Sequence, residues 1–507
     1  MTIKPIVAAS LTGGMLFAFL FAGTPTPARA ADPHPAAGVS PALCGSGDKR
    51  EPGIQGDVPA GATGSFNCGV KLVGQIPRSG NVQGYGTCAY VRPRGQGGPQ
   101  PSDQAGRIGQ GGGQVFIIDV RDPSHPVEVG SVPVHSGSES MRVVVTQDRA
   151  ILVSGSSVYD IKDCLHPVLK GEIPWPSLSM VGIPSRVLPH DLRVNHAGTK
   201  VFGSFGVFEA DISNLDDAST WKVTDHRCEL AEQVPGPWQE VHRQANAANL
   251  SLCADAIRPP PMGAGYVVGA SPLQASLLWP TLSHSPDLNG DDTRLYVGDQ
   301  AGGTSAIWAG GPKVRIIDLT QRTPKIIGEV DGPGHGLDWF RVNGRDYLVH
   351  SNEGGSMGIA NQPEHGDTCK PYPRPTALGW GFEVLVSDVT DPAKAHNVSM
   401  LHIAINDAEY CEARKTSGHD PWVAYHLVDN AFDAHFTAVN FGSAGLRIFD
   451  IRDPANPSEV AYFNHGPLVH AGVGYYDPRR KLIYASGETG GFWVLQVEPQ
   501  VRKRLGL

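Results

Sequence analysis

Five histidines stand at one recurring position of this chain, and imidazole is a ligand that suits copper, iron, zinc and nickel. The position lies at the predicted start of the first strand in each of seven repeated segments. The residues found there are Ser79, Ser140, His190, His284, His335, His426 and His470. Because the chain has only 19 histidines among 507 residues, so many at one register is far above chance.

A ring of histidines implies different chemistry from a single one. A lone histidine before a strand is usually a hydrogen-bonded structural residue, and duplication of an ancestral repeat can copy it without conferring chemistry. Several imidazoles that face one small volume, however, cannot all be protonated cheaply, because their charges repel one another. A divalent transition metal removes this conflict. We therefore expect the five histidines to be metal ligands.

Three acidic residues follow the second strand of their repeats, in glycine-rich loops on the same side of the fold. They are Asp299 in "YVGDQAGG", Glu353 in "VHSNEGG" and Glu488 in "ASGETGG". Such a carboxylate can accept a hydrogen bond from the outer N–H of a ligating histidine and so fix its tautomer, or it can simply bind loop amides. We expect Glu353 and Glu488 to orient the ligands or accept protons, and His350 and His465 to approach the same site.

The elements that must position these residues are alternating strands rich in β-branched side chains. "VFIIDVRDPSHPVEVGSV" at 115–132 recurs as "VRIIDLTQRTPKIIGEV" from 314, "VLVSDVTDPAKAHNVSML" from 384 and "LRIFDIRDPANPSEVAYF" from 446, with weaker copies from 158, 207 and 492. Two further strands lie between copies. Four strands in each of seven units predict an all-β, seven-bladed β-propeller, whose innermost strands line a central channel. The histidines would then surround one mouth of that channel.

The two ends of the chain predict how the ring closes. The chain ends on "FWVLQV", the third strand of the last repeat, and "VKLVGQIP" near the N-terminus is an unassigned fourth strand. Pairing the two would leave no open sheet edge. We therefore expect ring closure between N-terminal and C-terminal strands.

An aspartate ends the third strand of six repeats, and a glutamine, Gln496, ends the seventh. The aspartates are Asp119, Asp160, Asp211, Asp318, Asp388 and Asp450. An aspartate before a proline-containing turn can cap the free amides of that turn. We interpret this set as structural.

These repeats resemble the LVIVD-repeat family of secreted and periplasmic propellers, most closely in "FIIDVRDPSHPVEVG" and "LRIFDIRDPANPSEVA". The resemblance covers nearly the whole mature chain as a fold, and it specifies architecture and not activity. Multi-histidine centres on a propeller axis also resemble, in arrangement only, those of the carotenoid-cleavage oxygenases, with iron, and of the selenium-binding or methanethiol oxidase group, with copper. This likeness implies copper or iron as the cofactor.

The composition limits the classes of partner. A formal charge of -9 and a pI near 6.1 leave no basic surface for a nucleic-acid backbone, so we exclude nucleic acid. The 62 glycines and 42 prolines, with 18% charged residues, are typical of a β-protein rich in turns.

The N-terminus predicts export. Lys4, an apolar run from 6 to 22 and "ARA" at 28–30 have the order of a cleaved signal peptide, although the run could instead remain as an anchor. We predict a signal peptide at 1–30, an irregular arm at 31–67, and a propeller at 68–500 with insertions at 225–275 and 355–380. No membrane span remains after cleavage, and the protein would be secreted, periplasmic or on the cell surface.

Eight cysteines lie beyond the signal, an even number that predicts disulfides in an exported protein. No C-x-x-C pair is present, which argues against a thiolate zinc site. The connectivity stays open. Our hypotheses are Cys228 with Cys253 and Cys369 with Cys411, because each pair lies in or around one insertion.

Three functions fit these features. The first is a copper- or iron-dependent oxidase or oxygenase acting on a small molecule. The second is a metal-independent lyase or hydrolase in which a histidine and a glutamate act as acid and base. The third is a non-catalytic module that binds a cell-surface protein through its loops.

Overall fold

The description of the fold rests on a computed structural model of the chain. It describes residues 40–58, 64–93, 113–134, 140–175, 177–180, 183–186, 191–203, 207–226, 229–230, 233, 285–298, 313–332, 334–351, 384–406, 435–441, 444–465, 474–487 and 491–507. The predicted signal peptide and most of both predicted insertions lie outside these residues.

Two short N-terminal strands precede the first three blades. They are β1 (Phe66–Cys68) and β2 (Val70–Ile76). Blade 1 contains β3 (Asn81–Tyr85), β4 (Cys88–Arg92), β5 (Gly113–Asp119) and β6 (Val127–Val134). Blade 2 contains β7 (Met141–Val145), β8 (Ala150–Ser154), β9 (Ser157–Asp160) and β10 (Val168–Glu172). A hairpin of β11 (Ser177–Met180) and β12 (Ile183–Arg186) leads to blade 3, which contains β13 (Leu192–Val194), β14 (Lys200–Gly203), β15 (Phe208–Asp211) and β16 (Lys222–Asp225).

Blades 4 to 7 follow the same plan. Blade 4 contains β17 (Ser285–Leu288), β18 (Arg294–Gly298), β19 (Lys313–Asp318) and β20 (Lys325–Asp331). Blade 5 contains β21 (Gly336–Val342), β22 (Arg345–Ser351), β23 (Val384–Asp388) and β24 (His396–Leu401). Blade 6 contains β25 (Phe436–Asn440), β26 (Leu446–Asp450) and β27 (Ser458–Asn464), and blade 7 contains β28 (Tyr475–Asp477), β29 (Leu482–Gly487) and β30 (Gly491–Val497). The chain ends with a helix, α1 (Pro499–Leu505).

The blades pack around a common axis, since the innermost strands β3, β7, β13, β17 and β21 contact one another in that order and β28 contacts β3. The middle strands are buried on both faces, as in β26 and β29, because a neighbouring blade covers each face. Separate apolar clusters fill the spaces between successive blades. The predicted seven-bladed propeller is therefore confirmed.

The ring closes as the sequence predicts. β2 pairs with β30 in antiparallel register and becomes the fourth strand of blade 7. β1 pairs with β27 and becomes the outermost strand of blade 6. A single residue, Gly69, moves the chain from one blade to the other with a φ of 71°. A Cβ there would lie 2.5 Å from a methyl group of Val501 on α1, so only glycine fits.

The structural interpretation of the six aspartates is confirmed. In each of their turns, a carboxylate oxygen accepts a hydrogen bond from the backbone N–H two residues further on, at 2.8–3.2 Å. These hydrogen bonds satisfy turn amides that the strand ladder cannot reach.

Two disulfides hold the N-terminal half together. Cys44 pairs with Cys68 and ties the N-terminal arm to β1, whereas Cys88 pairs with Cys164 and joins blade 1 to blade 2. The other four cysteines lie outside the described residues, so both hypothetical pairings stay predictions. Within the described residues, no helix is long and apolar enough to cross a membrane.

Candidate metal centre

The candidate site lies where the innermost strands begin, at one mouth of the channel. Ser140 directly precedes β7, His335 directly precedes β21, and Ser79 lies two residues before β3. These three residues occupy the position expected for the ring. His190, His284, His426, His470, Glu353 and Glu488 lie outside the described residues, so His335 alone among the five predicted ligands is described.

His335 is buried, with 2% of its surface exposed. Its N–H donates to the carbonyl of Ser351 at 2.8 Å, and its own carbonyl accepts a hydrogen bond from the Ser285 hydroxyl. Ser351 ends the second strand of blade 5, whereas Ser285 begins the innermost strand of blade 4. The backbone of His335 is therefore held on both sides, so its imidazole projects from a rigid base.

A second buried histidine, His350, precedes Ser351 and is fully buried. Its Nε2 lies 2.7 Å from the Ser387 hydroxyl, which donates to Oδ1 of Asn397 at 2.6 Å. The amide nitrogen of Asn397 donates to the carbonyl of Asp331 at 2.9 Å. Because the amide nitrogen of Asn397 donates in this last bond, its Oδ1 is the atom that accepts from Ser387. The donor and the acceptor of each hydrogen bond in this chain are therefore fixed.

The order of donors and acceptors along these hydrogen bonds determines which nitrogen of His350 carries a hydrogen. Because Ser387 uses its proton on Asn397, the hydroxyl can only accept from His350, and Nε2 must carry a hydrogen. A ring held in one tautomer by its outer N–H is typical of metal-ligating histidines.

His350 stands where four other blades have an apolar residue. It pairs with Leu385 of the third strand. The residues in the same place on four other blades are Val91, Val297, Val439 and Ala485. A polar side chain at a core position needs its own partners, which Ser387 and Asn397 supply. Comparison of the repeats residue by residue would have found this exchange.

The third-strand strings that define the blades also identify the family. A profile described as "LVIVD repeat" matches residues 108–134 and 435–465. The first segment contains β5 and β6 of blade 1, and the second contains β25, β26 and β27 of blade 6. The protein is a seven-bladed β-propeller that carries LVIVD repeats. No curated protein matches its sequence.

Similar solved structures include the Myceliophteria thermophila Cps50 (Swd1) β-propeller domain, a chain of the Mitotic Checkpoint Complex and the Neurospora crassa Pan2 WD40 domain. Their sequence identities to this LVIVD-repeat propeller are 14%, 8% and 9%, and the TM-scores are 0.45, 0.42 and 0.43. The matches cover 84%, 87% and 84% of this chain, and 99%, 97% and 95% of those chains. The blade assignment rests on the strand pairing of the chain itself.

A third histidine of this LVIVD-repeat propeller, His465, follows the last strand of blade 6 and is half-buried. Its ring stacks on the indole of Trp493 with centroids 5.1 Å apart. Burial lowers the pKa of His465 below its ordinary value, which favours the neutral imidazole at neutral pH. The neutral form is the one that binds metals.

Arg92 lies at the part of the mouth formed by blades 1 and 2, where Ser79 and Ser140 take the place of histidine. Arg92 ends the second strand of blade 1, is 6% exposed, and donates to the hydroxyl of Ser154 in blade 2. This arginine was not predicted from the sequence. Its signal is an arginine at the end of an otherwise apolar strand.

The only group of three potential ligands within the described ranges lies far from the mouth, in the N-terminal arm. It consists of Cys44, Asp48 and Cys68. Both cysteines belong to one disulfide and therefore offer no thiolate to a metal. We exclude this group as a metal site.

Proposed function

We propose that this exported LVIVD-repeat propeller binds copper or iron at the channel mouth and acts as an oxidase or oxygenase on a small molecule. The five ligands are His190, His284, His335, His426 and His470. The observation that carries the proposal is the place of His335, which is buried at the start of an innermost strand with its backbone held on both sides.

The residues of the mouth suit such a metal. Neutral imidazoles bind copper and iron well, and burial shifts the described His465 towards the neutral form. When bound, a redox metal with an open position supplies the oxidising chemistry. The chain supplies the ligands, and Glu353 and Glu488 orient them or take protons from the substrate.

Export is part of the proposal. Two disulfides connect the described half of the cysteines, and disulfides persist in oxidising compartments. The predicted signal peptide agrees with that setting.

The first experiment measures bound metal. The protein is expressed through the secretory route, purified without chelators or a histidine tag, and analysed by plasma mass spectrometry beside a His335→Ala/His470→Ala variant. We expect about one equivalent of copper or iron in the wild type and its loss in the variant, because two of five ligands are removed. A His125→Ala/His166→Ala variant is the matched control, since both side chains are 80% or more exposed on outer turns.

Circular dichroism shows whether the variant still folds. Wild-type protein that is metal-free and takes up neither copper nor iron on reconstitution would contradict the proposal. An activity that resists chelators but disappears in His335→Ala would instead indicate acid–base catalysis by histidine and glutamate.

A binding module is the second candidate, because apolar side chains stand exposed on the outer strands of blades 1 and 2. They are Val127, Val129, Val168 and Leu169, which are 45–60% exposed. Exposed apolar groups that cluster on a surface often mark an interface. If this function is correct, Val127→Ser/Val168→Ser releases cell-bound protein into the medium, whereas changes to the mouth histidines do not.

A further inference from the structure

A separate cluster of imidazole and carboxylate lies where the chain leaves blade 3. His226 directly follows β16 and is only 5% exposed. Its N–H donates to the carbonyl of Val207 at 2.9 Å, which holds its backbone against the residue before β15. The ring therefore occupies a defined position inside blade 3 rather than on a free loop.

The two ring nitrogens of His226 have different surroundings. Nδ1 lies 3.0 Å from Oε2 of Glu229. Nε2 faces Oε2 of Glu209, on β15, at 3.8 Å, which is beyond hydrogen-bond length but is an ion-pair contact when the ring is protonated. In the part of the chain that the structure describes, this buried nitrogen makes no hydrogen bond. A buried imidazole thus points a nitrogen at a carboxylate oxygen across a gap.

The width of this gap suits a metal ion. Bonds from zinc to histidine nitrogen are about 2.0–2.1 Å and to carboxylate oxygen about 2.0–2.2 Å, so one ion can bridge atoms 3.8 Å apart. A bridging water would need two hydrogen bonds of about 2.8 Å each, and hence a wider separation. The carboxylate of Glu229 behind Nδ1 is the usual partner of a zinc-bound histidine.

We propose that His226 Nε2 and Glu209 Oε2 bind a divalent transition metal of the zinc class. Glu229 is a positioning residue that holds the ring through Nδ1. Water completes the coordination shell, because the Glu209 side chain is 20% exposed. This site is independent of the channel mouth and contains none of its residues.

The site would anchor the connection between blades 3 and 4. Leu230 is buried in the apolar cluster between these blades. Gln233 donates to the carbonyl of Pro324 at 3.0 Å and accepts from the N–H of Ile326 at 2.8 Å, at the start of the outer strand of blade 4. The segment that contains His226, Leu230 and Gln233 already contacts blade 4. A metal on His226 would therefore attach this segment to blade 3 as well.

Lys200 competes with the metal for the carboxylate of Glu209. Its Nζ lies 2.6 Å from Oε1 of Glu209, and its side chain is 46% exposed, so the ammonium can move into water. Burial works against a charged His226, but Glu209 and Glu229 outweigh it and raise the pKa of this imidazole above its ordinary value. Metal binding requires Nε2 without its hydrogen and displaces the Lys200 ammonium from the Glu209 carboxylate.

The test uses zinc and the full mature chain in a background in which His190, His284, His335, His426 and His470 are all changed to alanine, so that the channel mouth does not contribute. Isothermal titration with zinc chloride should show about one site. His226→Gln should weaken zinc binding at least tenfold, and Glu229→Gln should weaken it by about 10–100-fold through loss of orientation. Lys200→Met should tighten binding, because a competing cation is removed.

Lys200→Met keeps the proposal testable if His226→Gln fails to fold, because Lys200 is half-exposed. A structural role of His226 without metal predicts no zinc binding in this background and no gain in Lys200→Met. Either result overturns the proposal, as does zinc binding that His226→Gln leaves unchanged. Zinc-edge absorption should show nitrogen and oxygen ligands alone. Loss of copper or iron at the mouth would leave this zinc site unaffected.

Discussion

At the residue scale, Arg447 is a charged residue whose side chain is fully buried. Its guanidinium pairs with Glu51 of the N-terminal arm and lies 3.1 Å from Glu459 of β27. It also donates to the carbonyl of Ala444 at 2.8 Å and stacks 4.6 Å from the ring centroid of Tyr462. One side chain thus joins the arm to blade 6.

Replacement of Arg447 by methionine should strongly destabilise the protein. The change keeps the volume but leaves two buried carboxylates without their cation, which costs about 3–5 kcal/mol of unfolding free energy. Urea denaturation measures this loss. Arg452→Met is the control, since its side chain is 39% exposed and its ion pair with Asp450 contributes about 1 kcal/mol or less. Equal stability of the two variants would contradict the assigned role of Arg447.

At the scale of the element, the aspartate turns show how each blade changes direction. Asp388 accepts from the N–H of Thr390 at 3.0 Å and binds the guanidinium of Arg345. Burial acts to raise the pKa of Asp388, but Arg345 and Thr390 outweigh it and lower this pKa below its ordinary value. The ionised carboxylate is therefore the form that holds the turn.

Asp388→Ala should lower the unfolding free energy by about 1–2 kcal/mol at pH 7, because a hydrogen-bonded charge is lost. The contribution is complete above the unfolded pKa of about 3.9 and disappears as the pH falls through the lowered folded pKa. The difference between wild type and variant should thus shrink at pH 3. Urea denaturation at both pH values tests this, with Asp216→Ala, whose side chain is 94% exposed, as the control. A difference in unfolding free energy between wild type and Asp388→Ala that does not change with pH would contradict this role of the ionised carboxylate.

At the scale of the whole molecule, the N-terminal segment holds blades 6 and 7 together. β1 pairs with β27 and β2 with β30, and Gly69 lies between them. The arm adds the Arg447 contacts and the disulfide between Cys44 and Cys68. Without this segment, β27 and β30 would both become open edges.

Deletion of residues 1–78 should therefore open the ring. We expect loss of a cooperative unfolding transition and the appearance of aggregates in size-exclusion chromatography, because the freed edges can pair with other chains. Deletion of residues 1–39 is the matched control, since it keeps both strands and the arm contacts. A truncated chain that stays monomeric with an unchanged unfolding midpoint would show that closure does not hold the ring.

Much of the fold could be predicted because its signals are local and repeated. The string that ends at Asp119 and the one that ends at Asp450 each form a third strand and a capped turn. Neither feature needs a distant partner. β1 was not predicted, since Phe66–Cys68 is three residues long and gains its strand conformation only from β27.

The candidate site was less accessible to sequence. A register shared by all repeats is visible in the chain and places His335 at the start of β21. The environment of a side chain cannot be read from the sequence in this way. His350 is held by Ser387 and Asn397, and His226 faces Glu209 across blade 3. These contacts depend on which face each strand turns to its neighbour.

The sequence by itself determined the number of blades, the aspartate turns and the strand that closes the ring, because each follows from a pattern repeated within a few dozen residues. Only the tertiary structure decided the pairing of Arg447 with Glu51, the pairing of Cys88 with Cys164 and the attachment of β1 to blade 6. Those contacts join residues 76 or more positions apart. Circular packing of the blades brings such residues together, and no local propensity encodes it.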